Sequence, residues 1–243
     1  MTPEQARTDE PVLSETNTFT GRLAGRIALV TGASRGIGAA VAQRLAAEGA
    51  HVVLAARTVG ALEEVDDAIR AQGGAATLVP LDLRDFDKID QMSVALYQRF
   101  GRLDILIGNA GMLGTLGPMS HQDPASFRKV MDVNLFANFR LIRGLEPLLK
   151  LSPTGGRAIF TTAEAGHVPT AYWSSYAVSK AALEMMVAVW AAELGQTRIR
   201  AEVLDPGPVA TDLREDAFPG EEADTLPSPA DVAGLFLDRI LAA

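Results

Sequence analysis

The chain has 243 residues, 48% of them apolar, enough for one large α/β domain with a substantial core. Its 30 acidic residues outnumber 22 basic ones, and the net charge of −8 argues against a broad surface for nucleic-acid phosphates. Cysteine is absent, which excludes disulfides, thiolate metal sites and a thiol nucleophile, and no apolar run approaches the ~20 residues that span a bilayer.

Residues 1–21 are polar, rich in Thr, Glu and Pro, and without periodicity. They are expected to form a mobile extension ahead of one domain over 22–243, and they carry no signal-peptide pattern. Arg26–Val30 reads as a buried strand and Ala39–Glu48 as a helix stopped by Gly49. Between them lies Thr31-Gly32-Ala33-Ser34-Arg35-Gly36-Ile37-Gly38. A glycine turn between a strand and a helix lets the backbone approach a phosphate, which the helix N-terminus then attracts.

His51–Ala56 reads as the second strand, ending at Arg57 with no acidic residue there. In a dinucleotide fold an acid at that point holds a ribose 2′-hydroxyl, whereas arginine suits a 2′-phosphate. Arg57 and Arg35 are therefore expected to clamp the extra phosphate of NADP(H). Ala61–Gln72 is a helix, Ala76–Leu81 the third strand, and Asp82-Leu83 follow it. Asp82 either accepts a bond from an adenine amino group or caps the helix that begins near Asp85 and runs over Phe86–Phe100. Leu103–Ile107 is the fourth strand, and the small residues Gly108-Asn109-Ala110-Gly111 after it let the backbone lie against a cofactor ribose.

Pro124–Leu149 reads as one long helix that includes Asn134, a position that by itself suits a helix surface. Arg157–Thr161 is the fifth strand, followed by the loop Thr162–Gly166. Tyr176 and Lys180, at i and i+4, share a face of a helix running to about Leu194. Arg200–Leu204 is the sixth strand. Residues 212–226 are charged and irregular, suited to a lid, and Ser228, Pro229 and Asp231 have the order of an N-cap, N1 and N3. The histidines, His51, His121 and His167, lack metal-ligand spacing, so no metal site is expected. Alternating strands and helices imply a doubly wound Rossmann-type parallel sheet, order 3-2-1-4-5-6, with its ligand at the carboxyl ends of the strands.

The chain from about Leu23 onward resembles the short-chain dehydrogenase/reductase family. The glycine turn matches that family's TGxxxGIG, Asn109-Ala110-Gly111 its NAG, Tyr176-x3-Lys180 its YxxxK, and Pro206-Gly207-x-Val209-x-Thr211 its PGxxxT. The resemblance implies hydride transfer between NADP(H) and a carbonyl or alcohol. Tyr176 would be the acid/base, with its pKa lowered towards neutrality by Lys180, and Asn134 would hold a water that links Lys180 to solvent. Gly32, Gly36 and Gly38 would hold the pyrophosphate, Asn109–Gly111 the adenosine side, and Thr211 the carboxamide. The family serine falls at Ala163, a departure that removes one donor to the reacting oxygen. A pocket bounded by Ala163, Glu164, His167, Tyr172 and Trp173, with Met112, Leu113 and the Phe218 region, would take a hydrophobic or aromatic carbonyl.

The resemblance further implies a homodimer through the helices bearing Asn134 and Tyr176. The stretch from Ala217 to Asp231 resembles a bacterial cytoplasmic subgroup, so a cytoplasmic location is expected. Many members add a seventh strand after the last helix; with the last residue at Ala243, six strands are expected here. The other function in view is an NADP(H)-binding protein without turnover, a sensor or partner subunit, which Ala163 would suit.

Overall fold

The computed structural model describes residues 20–242. Residues 1–19 of the expected extension lie outside the described residues. From residue 21 the chain packs against the body: Arg22 pairs with Glu48, and Leu23 is fully buried.

Six parallel strands form one sheet in the order β3-β2-β1-β4-β5-β6, as the alternation of strands and helices implied. They are β1 (Ile27–Thr31), β2 (His51–Ala56), β3 (Ala75–Pro80), β4 (Ile105–Gly108), β5 (Arg157–Thr161) and β6 (Arg200–Leu204). The register places Val30 of β1 between Leu54 of β2 and Ile107 of β4. Side chains alternate across the sheet, so each apolar strand feeds two cores. Ala28, Val30, Val52, Leu54, Ile105 and Ile107 face α1 (Gly36–Ala47), α2 (Val59–Ala71) and the final helix. Leu29, Val53, Leu106, Ala158 and Phe160 face α3 (Phe86–Phe100) and the helices that follow β4 and β5.

The expected long helix after β4 is present but not uniform. It consists of α4 (Pro124–Met131), a π turn over Asp132–Phe136, and α5 (Ala137–Lys150). Pro147 lies inside α5 without ending it, and the irregularity falls at Asn134. Asn134 is fully buried, because its amide bonds the loop after β4 and the next helix, α6 (Ser174–Glu193). The charged stretch after β6 contains a short helix, α7 (Asp212–Ala217), with Thr211 as its cap. The last helix, α8 (Pro229–Leu241), starts in a full capping box between Ser228 and Asp231.

Strand order reverses between β1 and β4, so the loops after these two strands part and leave a crevice at their carboxyl ends. The glycine turn, Asn109–Gly111, Ala163 and the loop from Pro206 to Thr211 follow the carboxyl ends of β1, β4, β5 and β6, and Asn134 and Lys180 reach that end from within helices.

Candidate active site

The floor of the crevice is built by Thr31. Its hydroxyl donates to the Ile107 carbonyl (3.2 Å) and accepts from the N–H groups of Asn109 (3.0 Å) and Ala110 (3.2 Å). The Asn109 amide donates to the Thr31 carbonyl (3.2 Å), and the Thr161 hydroxyl reaches Asn109 Oδ1 (3.4 Å). These bonds tie the ends of β1, β4 and β5 together and fix Asn109–Gly111.

The glycine turn has no room for a side chain at Gly32 or Gly38. Gly32 has φ 66°, and a Cβ on Gly38 would lie 2.2 Å from the Gly32 carbonyl oxygen. Helix α1 therefore begins directly on the turn. Its N-cap, Arg35, makes no side-chain cap bond, which leaves the first-turn N–H groups without a side-chain partner. Ser34 and Ile37 lie on the same turn. This cradle of backbone donors fits a pyrophosphate. Gly36 meets the other rim, since a Cβ there would lie 3.4 Å from Thr211. Arg35 pairs with Asp212 at the start of α7 (2.7 Å).

At the end of β2, Arg57 is exposed and no acid accompanies it. Asp82 does not cap α3; Asp85 does, accepting from the Lys88 N–H (3.2 Å). The Asp82 carboxylate is gripped by the Arg84 guanidinium (2.6 Å at the shortest). Arg84, assisted by the charge of Arg57, holds the Asp82 carboxyl down to about 2, so it is ionised at neutral pH. Leu83 beside it is buried. An open pocket of about 700 Å³ runs from Asp82 and Arg84 to Lys129, Asp132 and Arg140. It is walled by charges and includes neither Tyr176 nor Lys180, so its size does not mark the reacting centre.

Tyr176 and Lys180 are both buried on one face of α6, and the Lys180 ammonium lies 5.6 Å from the centre of the Tyr176 ring. Lys180 Nζ donates to the Thr161 carbonyl (2.7 Å). A Cβ on Gly111 would lie 3.7 Å from Lys180 Nζ and 3.8 Å from Asn134 Oδ1, so these three positions converge. Asn134 Oδ1 accepts from the Met112 N–H (2.8 Å), and Nδ2 donates to the Met112 carbonyl (3.0 Å) and to Ser179 Oγ (2.9 Å). Ser179 in turn donates to the Tyr176 carbonyl (2.7 Å). Both amide hydrogens of Asn134 are thus committed within the protein.

The expected lowering of the tyrosine is not seen in the protein chain itself. Burial pushes the Tyr176 phenol up to about 12, and the negative charge of Asp205 adds to it. Burial brings Lys180 down to about 8, against the opposing pull of Asp205 and Glu184. The reason is geometric: the ammonium is aimed at a backbone carbonyl, and both groups have lost water.

Beside Ala163 the Thr162 hydroxyl is committed elsewhere. Thr162 Oγ1 donates to Glu184 Oε1 (2.5 Å), and His167 Nδ1 lies 3.4 Å from the same oxygen. A Cβ on Gly166 would lie 2.5 Å from that oxygen and 3.1 Å from the Lys180 Cβ, so the glycine three residues after Ala163 lets the loop pass close to α6. Glu164 is solvent-exposed. Ser175 lies beside Gly114, and Ser174 Oγ is buried without a partner. Trp173 packs edge-on to Tyr176, and Phe218 packs on Trp173; Tyr172 is exposed. Val209 is buried beneath the loop from Pro206 and Gly207 to Thr211. Among the described residues no group of three His, Cys, Asp or Glu is arranged to hold a metal ion, and no helix is long and apolar enough to cross a membrane.

Sequence reading did not single out Glu184, Asp205, Ser179 or Asp212. Glu184 had a signal, since it stands four residues after Lys180 on the same helix face. Asp212 had none, because its partner Arg35 is remote in sequence.

A doubly wound sheet with these motifs at its switch point defines a class. Residues 26–222 match the family described as short chain dehydrogenase, and the chain belongs to that family. It is 38% identical over 215 residues to the uncharacterized oxidoreductase YciK of Escherichia coli K12, covering 87% of this chain and 84% of that protein. A short chain dehydrogenase of Shigella flexneri 2a, crystallised with NADP, is 38% identical and superimposes with a TM-score of 0.86 over 90% of this chain and 92% of that one. One from Escherichia coli CFT073, complexed with NADPH, is 37% identical with a TM-score of 0.84 over 93% of both chains.

Proposed function

We propose that the chain is an NADP(H)-dependent oxidoreductase that interconverts a carbonyl and an alcohol. The observation that carries this reading is the convergence of Tyr176, Lys180 and Gly111 beside an uncapped helix start in the switch-point crevice. The crystallised relatives with NADP or NADPH support the choice of cofactor, as do Arg35 and Arg57 with no acid at the end of β2.

The bound dinucleotide supplies or takes up the hydride. Gly32, Ser34, Arg35, Gly36, Ile37 and Gly38 receive its phosphates, and Arg57 with Arg35 grips the 2′-phosphate. Asp82, Leu83 and Asn109–Gly111 flank the adenosine, while Pro206, Gly207, Val209 and Thr211 border the nicotinamide end. Tyr176 gives its proton to the carbonyl oxygen in reduction and takes it back in oxidation. Lys180 holds positive charge beside the phenol and binds the nicotinamide ribose. Asn134 fixes the loop and helix around them, and a proton-relay water would use its remaining acceptor capacity. Ala163 offers the reacting oxygen no hydrogen bond, which lowers turnover by roughly 10²–10³ relative to a site with that donor. Two chains associate through the exposed faces of α5 and α6.

The test is NADPH consumption against a panel of ketones and aldehydes, with calorimetry of NADP+ and NADPH. Turnover in the wild type that falls about 10²-fold or more in Tyr176→Phe supports the reading. The same null rate in both proteins removes the enzyme reading, and tight dinucleotide binding would then leave a binding protein.

A further inference from the structure

Helix α6 is tied to the end of β5 at two neighbouring points. Lys180 Nζ donates to the Thr161 carbonyl at 2.7 Å, and four residues further along α6 Glu184 Oε1 accepts from the Thr162 hydroxyl at 2.5 Å. Side chains at i and i+4 share a helix face, so Lys180 and Glu184 form one stripe against two successive residues of the strand end. The chain then runs through Ala163 into a tight turn over Glu164–Gly166. The Gly166 N–H closes that turn on the Ala163 carbonyl, and the Val168 N–H closes it on the Glu164 carbonyl, both at 2.8 Å. The turn comes back to the same carboxylate: Gly166 packs against it, and His167 Nδ1 lies 3.4 Å from Oε1.

The two ties carry different burdens. The Lys180 ammonium stands 5.6 Å from the centre of the Tyr176 ring and is called on by the chemistry. A group that also serves the cofactor is a poor sole anchor between β5 and α6. Glu184 has no such second task. Its partner Thr162 is buried, and a hydroxyl donating to a carboxylate makes a charge-assisted bond, stronger than a neutral one. Position matters more in this chain than in one with a serine at residue 163. The methyl group of Ala163 makes no directional bond to the reacting oxygen, so placement of that oxygen depends on where the wall stands relative to Tyr176.

We propose that Glu184 is the positioning residue of the reacting centre: it locks Thr162 and the turn after Ala163 onto α6, and so sets the gap between the Ala163 wall and Tyr176. The proposal rests on the reading of Tyr176 as acid/base. Glu184 touches no reacting atom in this role. Its charge acts as well. Burial lowers Lys180, and the carboxylates of Asp205 and Glu184 both pull it back up.

Thr162→Val and Glu184→Leu each remove the bond, whereas Glu184→Gln keeps an acceptor and removes the charge. The expected loss in kcat/KM for carbonyl reduction is roughly 10-fold in Thr162→Val and in Glu184→Leu, and no more in the double variant, as one shared bond requires. NADPH affinity by calorimetry is unchanged in all of them, because the glycine turn and Arg57 belong to the far side of the crevice. Glu184→Gln keeps its activity at neutral pH, but the alkaline fall in kcat/KM, as Lys180 loses its proton, comes roughly half a pH unit earlier. Packing alone would not move that fall. Hydrogen exchange of residues 162–168 reads the tie without turnover: it is faster in Glu184→Leu and not in Glu184→Gln. Full kcat/KM in Glu184→Leu, additive losses in the double variant or an unmoved alkaline fall in Glu184→Gln overturns the proposal. Thr162→Val and Glu184→Gln decide if the leucine variant does not fold. Faster exchange in Glu184→Leu, with a wild type that turns over no carbonyl, would keep the tie and remove the oxidoreductase reading. Turnover with unchanged exchange and full kcat/KM in that variant would do the reverse.

Discussion

At the scale of single residues, burial dominates the chemistry. The Tyr176 phenol, pushed up to about 12, keeps its proton from neutral to mildly alkaline pH. Lys180, brought down to about 8, does not keep its own. Carbonyl reduction needs both a protonated phenol and a charged ammonium, so kcat/KM for reduction is level at neutral pH and falls as pH rises through about 8. The limb belongs to Lys180, and a pH profile of Lys180→Met should be lower and lack it; a limb that remains assigns it elsewhere. Ala163 has an extended backbone (φ −157°, ψ 156°), which serine adopts equally well. Ala163→Ser should raise kcat by roughly 10²-fold with little change in KM. The two arginines differ in strength of grip. Arg35 already has Asp212 at 2.7 Å, although both are exposed and such a pair is weak. If Arg57 grips the 2′-phosphate as proposed, Arg57→Ala should cut kcat/KM for NADPH roughly 10- to 100-fold, the worth of a charge-assisted bond, while leaving NADH nearly unchanged.

At the scale of elements, the sequence exposes whatever is locally coded. Strand stretches such as residues 28–30 and 52–56 are apolar without interruption, and a sheet covered on both faces needs that. The last helix announces itself through Ser228, Pro229 and Asp231, and the capping box is there. That Tyr176 and Lys180 share one helix face was legible for the same reason, since one helical turn separates them. What stayed hidden depends on remote partners. The π turn at Asn134 exists because its amide bonds Met112 and Ser179, which local propensity cannot reveal. The pKa order of Tyr176 and Lys180 was hidden too, because burial is a property of the folded chain. Asn134→Ala should therefore cost about 1–3 kcal/mol in urea unfolding, because it removes the bonds of a fully buried amide to the part-buried Met112 backbone and to Ser179, whose hydroxyl keeps its bond to the Tyr176 carbonyl. It should also lower kcat more than it raises KM, since α6 loses a tie next to Tyr176 while the glycine turn is untouched.

At the scale of the whole molecule, an apolar surface stands outside both cores. Val178, Met185 and Val189 recur at seven- and four-residue spacings on the outer face of α6, and Met185 is 66% exposed. Phe136 and Phe139, three apart, are exposed on the π turn and α5. The Asn134–Ser179 bond makes these two helical segments neighbours. Large apolar side chains exposed on adjacent helices suit the proposed association of two chains. Each chain carries a charge of −8, so like chains repel, and association has to come from apolar burial. A pair of chains meeting through this face would also press on α6 from the side opposite Tyr176. Light scattering after gel filtration should give a mass of at least two chains at micromolar concentration. Met185→Glu combined with Val189→Glu places charge in the middle of the contact and should yield a single-chain species with its sheet intact by circular dichroism. An unchanged mass in that variant would place the association surface elsewhere, and a wild type that is already a single chain would remove the dimer altogether.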